Sequence, residues 1–514
     1  MTTLSRTSGS SAVPAAAPAP AAVAEGSGAG GASGLAGARS ALRLAVKRRV
    51  VPLVALAVSV AGAMVWSLVW QVHTPGCQPG ASHGAGAMVC SFAHHLHPYG
   101  VSSWRTPGDI WGTLRSAQTI VWGDFGGIYA AGTSLVSFPG AALLLAPVAL
   151  VADALHLTAS FPYPVPHPTA WLVLGPYEVA AASFALFGAD RLAERLGVGR
   201  AKRAVLVGAG AAVLFPVDAI WGHPEDAVAM GLLLYALVFA LDRRVVGAGW
   251  LAGAAVAVQP LVLLGLPVLA AVLGARRLVG FMVRSAVPSV AVLVVPLIAA
   301  PRDTLHALLD QPNFPLIDHV TPWTALAPSL GGHGTVLAVA AGPGRVVAVV
   351  LAAALAPWVA KRRRDPTLVV WALAAALALR CLTESVMDPF YLWPPLAVAV
   401  VAAGTTSRAR LGVVALAAMA TSAGAELHGA WWLWWYGVTA GMVLAVAVAY
   451  PTRRGDLAGG GARRSEERLI CKGSAGSAQV RSGVRTQPRA SSSGPGMPLA
   501  PEGREFSDLE PVAR

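Results

Sequence analysis

The stretch "WGHPEDAVAMGLLLYALVFAL" places His223, Glu225 and Asp226 within four residues, just before an unbroken apolar run. A base and two carboxylates this close can hold and move a proton, orient a hydroxyl or bind a divalent ion. Helix capping accounts for one of the acids, since a carboxylate at a helix N-terminus complements the dipole by about 0.3–1 kcal/mol. Upstream, "PGDIWGTLRSAQTIVWGDFGGIYAAG" carries Asp109, Arg115, Asp124 and Tyr129. Asp109 and Asp124 lie on one expected external face; a helix cap and a Gly-rich turn are their plain readings. In "RCLTESVMDPFYLWP", Arg380, Glu384 and Asp388 recur every four residues and share a face if one helix continues through them. Glu178, in "LGPYEVAA", interrupts an apolar run. An ionisable group inside a membrane span costs roughly 2.5–3.5 kcal/mol, so it needs a reason.

The chain that must position these groups has 514 residues, 55% of them hydrophobic and 12% charged. Soluble domains are about 25% charged; apolar runs of spanning length account for the deficit. The expected fold is all-α and polytopic, with about twelve transmembrane or partly inserted helices. Continuous apolar runs, without alternation, exclude a β-barrel. The net charge of +13 sits in short Lys/Arg clusters between those runs, which marks topology and does not call for nucleic acid. No nucleotide-binding loop, Ser-His-Asp order or CxxC redox pair occurs.

Alternation of the basic clusters puts both termini in the cytoplasm, with a helical membrane domain over 50–452. The flanking segments 1–49 and 453–514 are expected to be disordered. External loops are expected over 73–167 and 301–334. In the first, Ile110, Leu114, Ala117 and Val121 form a stripe that predicts a helix on the membrane surface. Phe138–Leu155 should be juxtamembrane or partly inserted, because a crossing there would send the cluster Arg191, Arg195, Arg200, Lys202 and Arg203 outside; Pro139 and Pro147 should also shorten its helix. Gln259–Pro260 should split a hairpin pair, while Val336–Ala360 and Leu368–Thr383 should each span. His94, His95 and His97 read as solvated loop residues, Cys77 and Cys90 as able to form an external disulfide, and Trp431–Tyr436 as an interfacial anchor.

This organisation resembles the membrane-embedded GT-C glycosyltransferases, and among them the bacterial polyprenyl-phosphate-mannose-dependent mannosyltransferases. Three stretches carry the likeness: Asp109 followed by "GGIYAAGTSLVSFPGAALLLAP", the polar turn "FPVDAIWGHPEDA", and the Gly-rich hairpin "RRVVGAGWLAGAAVAVQPLVLLGLPVL". The resemblance implies a bacterial cell-membrane enzyme that passes a sugar from a polyprenyl-phosphate donor to an extracytoplasmic lipid or glycan acceptor. Asp109 would be the base and Asp124 its substitute; Arg115, His223 and Arg380 would meet phosphate. Glu225 and Asp226 would orient the acceptor or bind a divalent cation, and Tyr129, Gln259 and Glu384 would complete the substrate-binding set. The chain departs from the family in two places: Asp109 and Asp124 are well separated, and Gln259 stands where a lysine is usual. Two other readings are a transporter or flippase that uses Glu178, Arg380 and Glu384 as a relay, and an inactive scaffold of the same architecture.

Overall fold

The computed structural model describes residues 49–73, 109–130, 135, 137–157, 169–315, 319–333, 336–426 and 431–451. The segment 1–48, the tail 452–514, His94, His95, His97, Cys77 and Cys90 lie outside the described residues.

Helices dominate. The first half contains α1 Val50–His73, α2 Ile110–Val121, α3 Pro139–Ala154, α4 Trp171–Ala182, α5 Phe184–Arg195, α6 Arg200–Pro216, α7 Pro224–Leu241 and α8 Val245–Val258. The second contains α9 Leu266–Leu273, α10 Ala275–Ala299, α11 Pro301–Leu309, α12 Gly344–Arg362, α13 Pro366–Thr383, α14 Trp393–Ala403, α15 Arg408–Ala425 and α16 Trp431–Val448. Among the described residues, five helical stretches are long and apolar enough to cross a membrane: Trp171–Arg195, Pro224–Leu241, Ala275–Ala299, Gly344–Arg362 and Pro366–Thr383. A helix satisfies its own backbone groups in hydrocarbon, which suits such segments. The chain is a helical membrane protein.

α7 is the hub. Of its apolar stretch 72% is buried, against 17% for α10. A helix that is apolar on every side belongs inside a bundle, and Leu233, Leu234 and Leu237 of α7 share one core with Leu373 and Leu377 of α13 and Leu396 of α14. A second core joins Ile110, Leu114 and Ala117 of α2 to Ala141 and Leu145 of α3 and to Trp171 and Leu174 of α4. The α2 stripe expected at the membrane surface is therefore covered by protein. α3 runs uninterrupted through Pro147, yet its 16 residues span only about 24 Å, short of a hydrocarbon core of about 30 Å.

Three expectations need correction. The expected span Val336–Ala360 divides: Val336–Val339 is strand β3, paired with β2 Ser329–His333, and α12 begins only at Gly344. The β-branched Val336 and Val339 suit a strand, and Gly342-Pro343 blocks helix propagation. A second pair, β1 His319–Val320 with β4 Val386–Met387, adds another small antiparallel sheet to the helical fold. α13 stops at Thr383, so Arg380, Glu384 and Asp388 do not share a helix face; Glu384 is extended and Asp388 precedes Pro389, which disfavours helix. Finally, Trp434 and Trp435 are buried, and their indole N–H groups donate to the Ala425 and Cys381 carbonyls at 2.9 and 3.3 Å. These two rings lock α16 to the bundle; Leu433 and Tyr436 of the same run are exposed.

Candidate functional site

α6 ends at Pro216 and passes into a π turn over Val217–Trp221. Gly222 then reverses the chain at φ 75° and ψ 50°, a left-handed conformation that glycine adopts without a Cβ clash. The reversal leaves His223 at the N-cap of α7 and Pro224 in its first turn, where a missing N–H costs nothing. Glu225 and Asp226 follow, both buried at the head of α7.

Asp109 precedes α2 but makes no capping bond. Its Oδ2 lies 3.1 Å from His223 Nε2, and His223 Nδ1 lies 2.8 Å from Glu225 Oε1. Both ring nitrogens thus face carboxylates, an arrangement that only the imidazolium satisfies by donating twice. Burial opposes protonation of His223, but the Glu225 and Asp109 carboxylates outweigh it and raise the imidazole well above its ordinary range. The ring lies against Phe390, tilted by 30°, with centroids 4.0 Å apart. Within this chain the Asp109 side chain is 56% exposed and that of Glu225 only 4%. Asp109 is the member a substrate can reach.

Gln259 ends α8, and Pro260 behind it holds the residue extended at φ −149° and ψ 113°. Its Nε2 donates to Asp226 Oδ1, and its Oε1 accepts from Ser137 Oγ at 3.2 Å. α3 comes this close because Gly140 has no side chain: a Cβ there would stand 2.1 Å from the Ala257 carbonyl oxygen. Tyr129 is buried and donates to the Ser137 carbonyl at 2.8 Å; burial pushes its phenol up. On the next flank, Glu384 accepts from Arg345 Nε at 2.9 Å and from Arg380 Nε at 3.1 Å. The Arg380 guanidinium lies 3.8 Å from the Tyr391 ring centre and within electrostatic reach of Asp226.

The fold therefore brings Asp109, His223, Glu225, Asp226 and Gln259 together, with Arg380 and Glu384 alongside and Tyr129 linked through Ser137. Asp124 stands apart. It is exposed, and its carboxylate accepts from the Gly127 N–H at 3.1 Å, which organises its own turn. Arg115 is exposed on α2. Among the described residues no three His, Cys, Asp or Glu side chains are grouped to hold a metal ion, so a divalent cation at Glu225 and Asp226 has no ligand set there.

Asp218 joins the cluster unforeseen. It sits in the π turn, buried, within electrostatic reach of Glu225, Asp226 and His223. Glu178 of α4 is buried within reach of Asp218 and Glu225. An acid inside the apolar run "AVLFPVDAIW" is the same kind of signal that flags Glu178. Phe390 and Tyr391, the aromatic supports of His223 and Arg380, carry no such mark; ordinary aromatic residues near a helix start look alike whatever they support. The arrangement can draw a proton from a hydroxyl to Asp109, whose carboxylate His223 and, behind it, Glu225 hold in place. No protein-family model and no curated protein matches this chain.

Proposed function

We propose that this protein transfers a sugar from a polyprenyl-phosphate donor to a lipid or glycan hydroxyl at the membrane–water boundary, with Asp109 as general base. The observation that carries the reading is the Asp109–His223–Glu225 chain, an exposed carboxylate hydrogen-bonded through an imidazole to a buried one. A polyprenyl-phosphate sugar cannot leave the bilayer, so its reacting carbon must be met at the boundary. Inverting transfer then needs one carboxylate to deprotonate the acceptor and cations to receive the departing phosphate. His223 and Arg380 are the cations nearest that role, and each would exchange a carboxylate partner for the phosphate. Gln259 orients Asp226 here and brings no charge to phosphate. An inactive scaffold has no use for buried carboxylates lacking partners, which are costly to hold.

The test uses purified protein in liposomes, radiolabelled polyprenyl-phosphate mannose and a lipid-extract acceptor. The wild type should form labelled product, and Asp109→Asn should lose about 10²–10⁴-fold in rate, the usual worth of a general base, while still unfolding cooperatively. An Asp109→Asn protein as active as wild type defeats the assignment. Movement of labelled donor across the bilayer without product would favour the transporter reading instead.

A further inference from the structure

α1, α4, α5 and α6 enclose a cavity of about 350 Å³, whose wall includes Gly62 of α1, Trp171 and Glu178 of α4, and Phe215 and Asp218 at the end of α6. Its size falls within the range of small-molecule pockets, about 300–1,000 Å³. The wall is mainly apolar, but two acids stand in it. Glu178 is 1% exposed and Asp218 is 6% exposed, and Glu178 Oε1 and Asp218 Oδ1 have no hydrogen-bond partner. Buried carboxylate oxygens of this kind call for a donor or a cation.

Charge decides which. Glu178 faces the charge of Asp218 and Glu225, and Asp218 that of Glu225 and Asp226, with His223 as their shared opposing cation. Burial also opposes charge on each carboxylate, so a cation beside them would relieve both. Arg380 is engaged by Glu384. The like charges disfavour a phosphate-headed ligand and favour an ammonium. The apolar wall asks for a hydrocarbon body. The cavity reaches the surface, since Gly62 and Phe215 of its wall are exposed.

We propose that this cavity binds a long-chain primary amine, with its ammonium on the Glu178 and Asp218 carboxylates and its alkyl chain against the apolar wall. The site adjoins the Asp109–His223–Glu225 chain through Asp218, but amine binding is read without any transfer assay, so either idea can fail alone. Detergent-solubilised full-length protein is exposed to an equimolar mixture of hexadecylamine, hexadecan-1-ol and hexadecyl phosphate, and bound species are read by native mass spectrometry. The amine adduct should dominate, and the double variant Glu178→Gln/Asp218→Asn should weaken amine binding by about 30-fold or more, the loss expected for a buried charge partner. Gly62→Leu is the second variant. A Cβ at Gly62 meets nothing within 4 Å, so leucine should fill the cavity and exclude the amine without disturbing either acid. The proposal is overturned if alcohol or phosphate binds as well as the amine, if butylamine competes as strongly as hexadecylamine, or if both variants bind amine like wild type.

Discussion

The two ends of α6 use buried carboxylates in opposite ways. Near its start, Arg203 Nε and Nη2 clamp the two oxygens of Asp190, each at 2.6 Å. Arg49 also donates to Asp190 and to Glu194, and Arg191 reaches Glu194 at 2.7 Å. Two acids face three guanidiniums, and both Asp190 oxygens are occupied. Beyond the other end, about 22 Å along the axis from Arg203 to Asp218, acids outnumber cations. There Glu178 Oε1, Asp218 Oδ1, Glu225 Oε2 and Asp226 Oδ2 all lack hydrogen-bond partners. The first end is built to be closed: its charges are spent on each other and hold α1, α5 and α6 together. The second retains unmet acceptors in a place where retaining them is costly, which is how a site that waits for a ligand or a proton differs from a structural ion pair.

The contrast can be broken by substitution. Arg203→Ala should be the most damaging change, about 3–5 kcal/mol, because it leaves Asp190 buried with most of its compensation gone. Chemical unfolding in micelles reads this directly, and a loss below 1 kcal/mol would place the first end in the same class as the second. Gln259→Leu should cost less, about 1–3 kcal/mol, since it strips Asp226 of its amide donor. Asp218→Val should change stability by no more than about 1 kcal/mol and in the stabilising direction, because it removes a buried acid with an unmet oxygen. A large destabilisation there would mean that Asp218 is structural, like Asp190.

The smallest effect is a pH dependence. The native pKa of His223 is raised by Glu225 and Asp109 against the opposing effect of burial, so protonation contributes stability in full below the ordinary imidazole value of about 6.5 and loses it as pH climbs through the raised native value. The stability advantage of wild type over His223→Gln should therefore be greatest near about pH 6 and shrink at alkaline pH. An advantage that grows with pH would show a neutral ring between the two carboxylates.

The contrast also shows where sequence reading works. "HPEDA" was legible as chemistry because three ionisable residues crowd the mouth of an apolar run, and Asp109 because it opens an amphipathic stretch. Asp109 and Asp124 looked equivalent as isolated acids before Gly-rich or helical sequence. Only the fold separates them, since one reaches His223 and the other serves Gly127. Likewise the four-residue spacing of Arg380, Glu384 and Asp388 suggested one face, but Pro389 and the β1–β4 pairing end the helix at Thr383. The Glu384 partner Arg345 lies on α12, beyond the reach of any local pattern.

Sequence alone determined that this is a helical membrane protein, that the body of α7 is apolar on all sides, and that a basic and two acidic groups stand at its start, because composition and periodicity act locally. Tertiary structure decided which acid faces solvent, which lie buried without partners, and that Asp109 meets a histidine 114 positions away. Burial and hydrogen bonding depend on which helices pack together, and that is set by shape at contacts such as Gly140 against Ala257, where a single added methyl group would push α3, and Ser137 with it, away from the site.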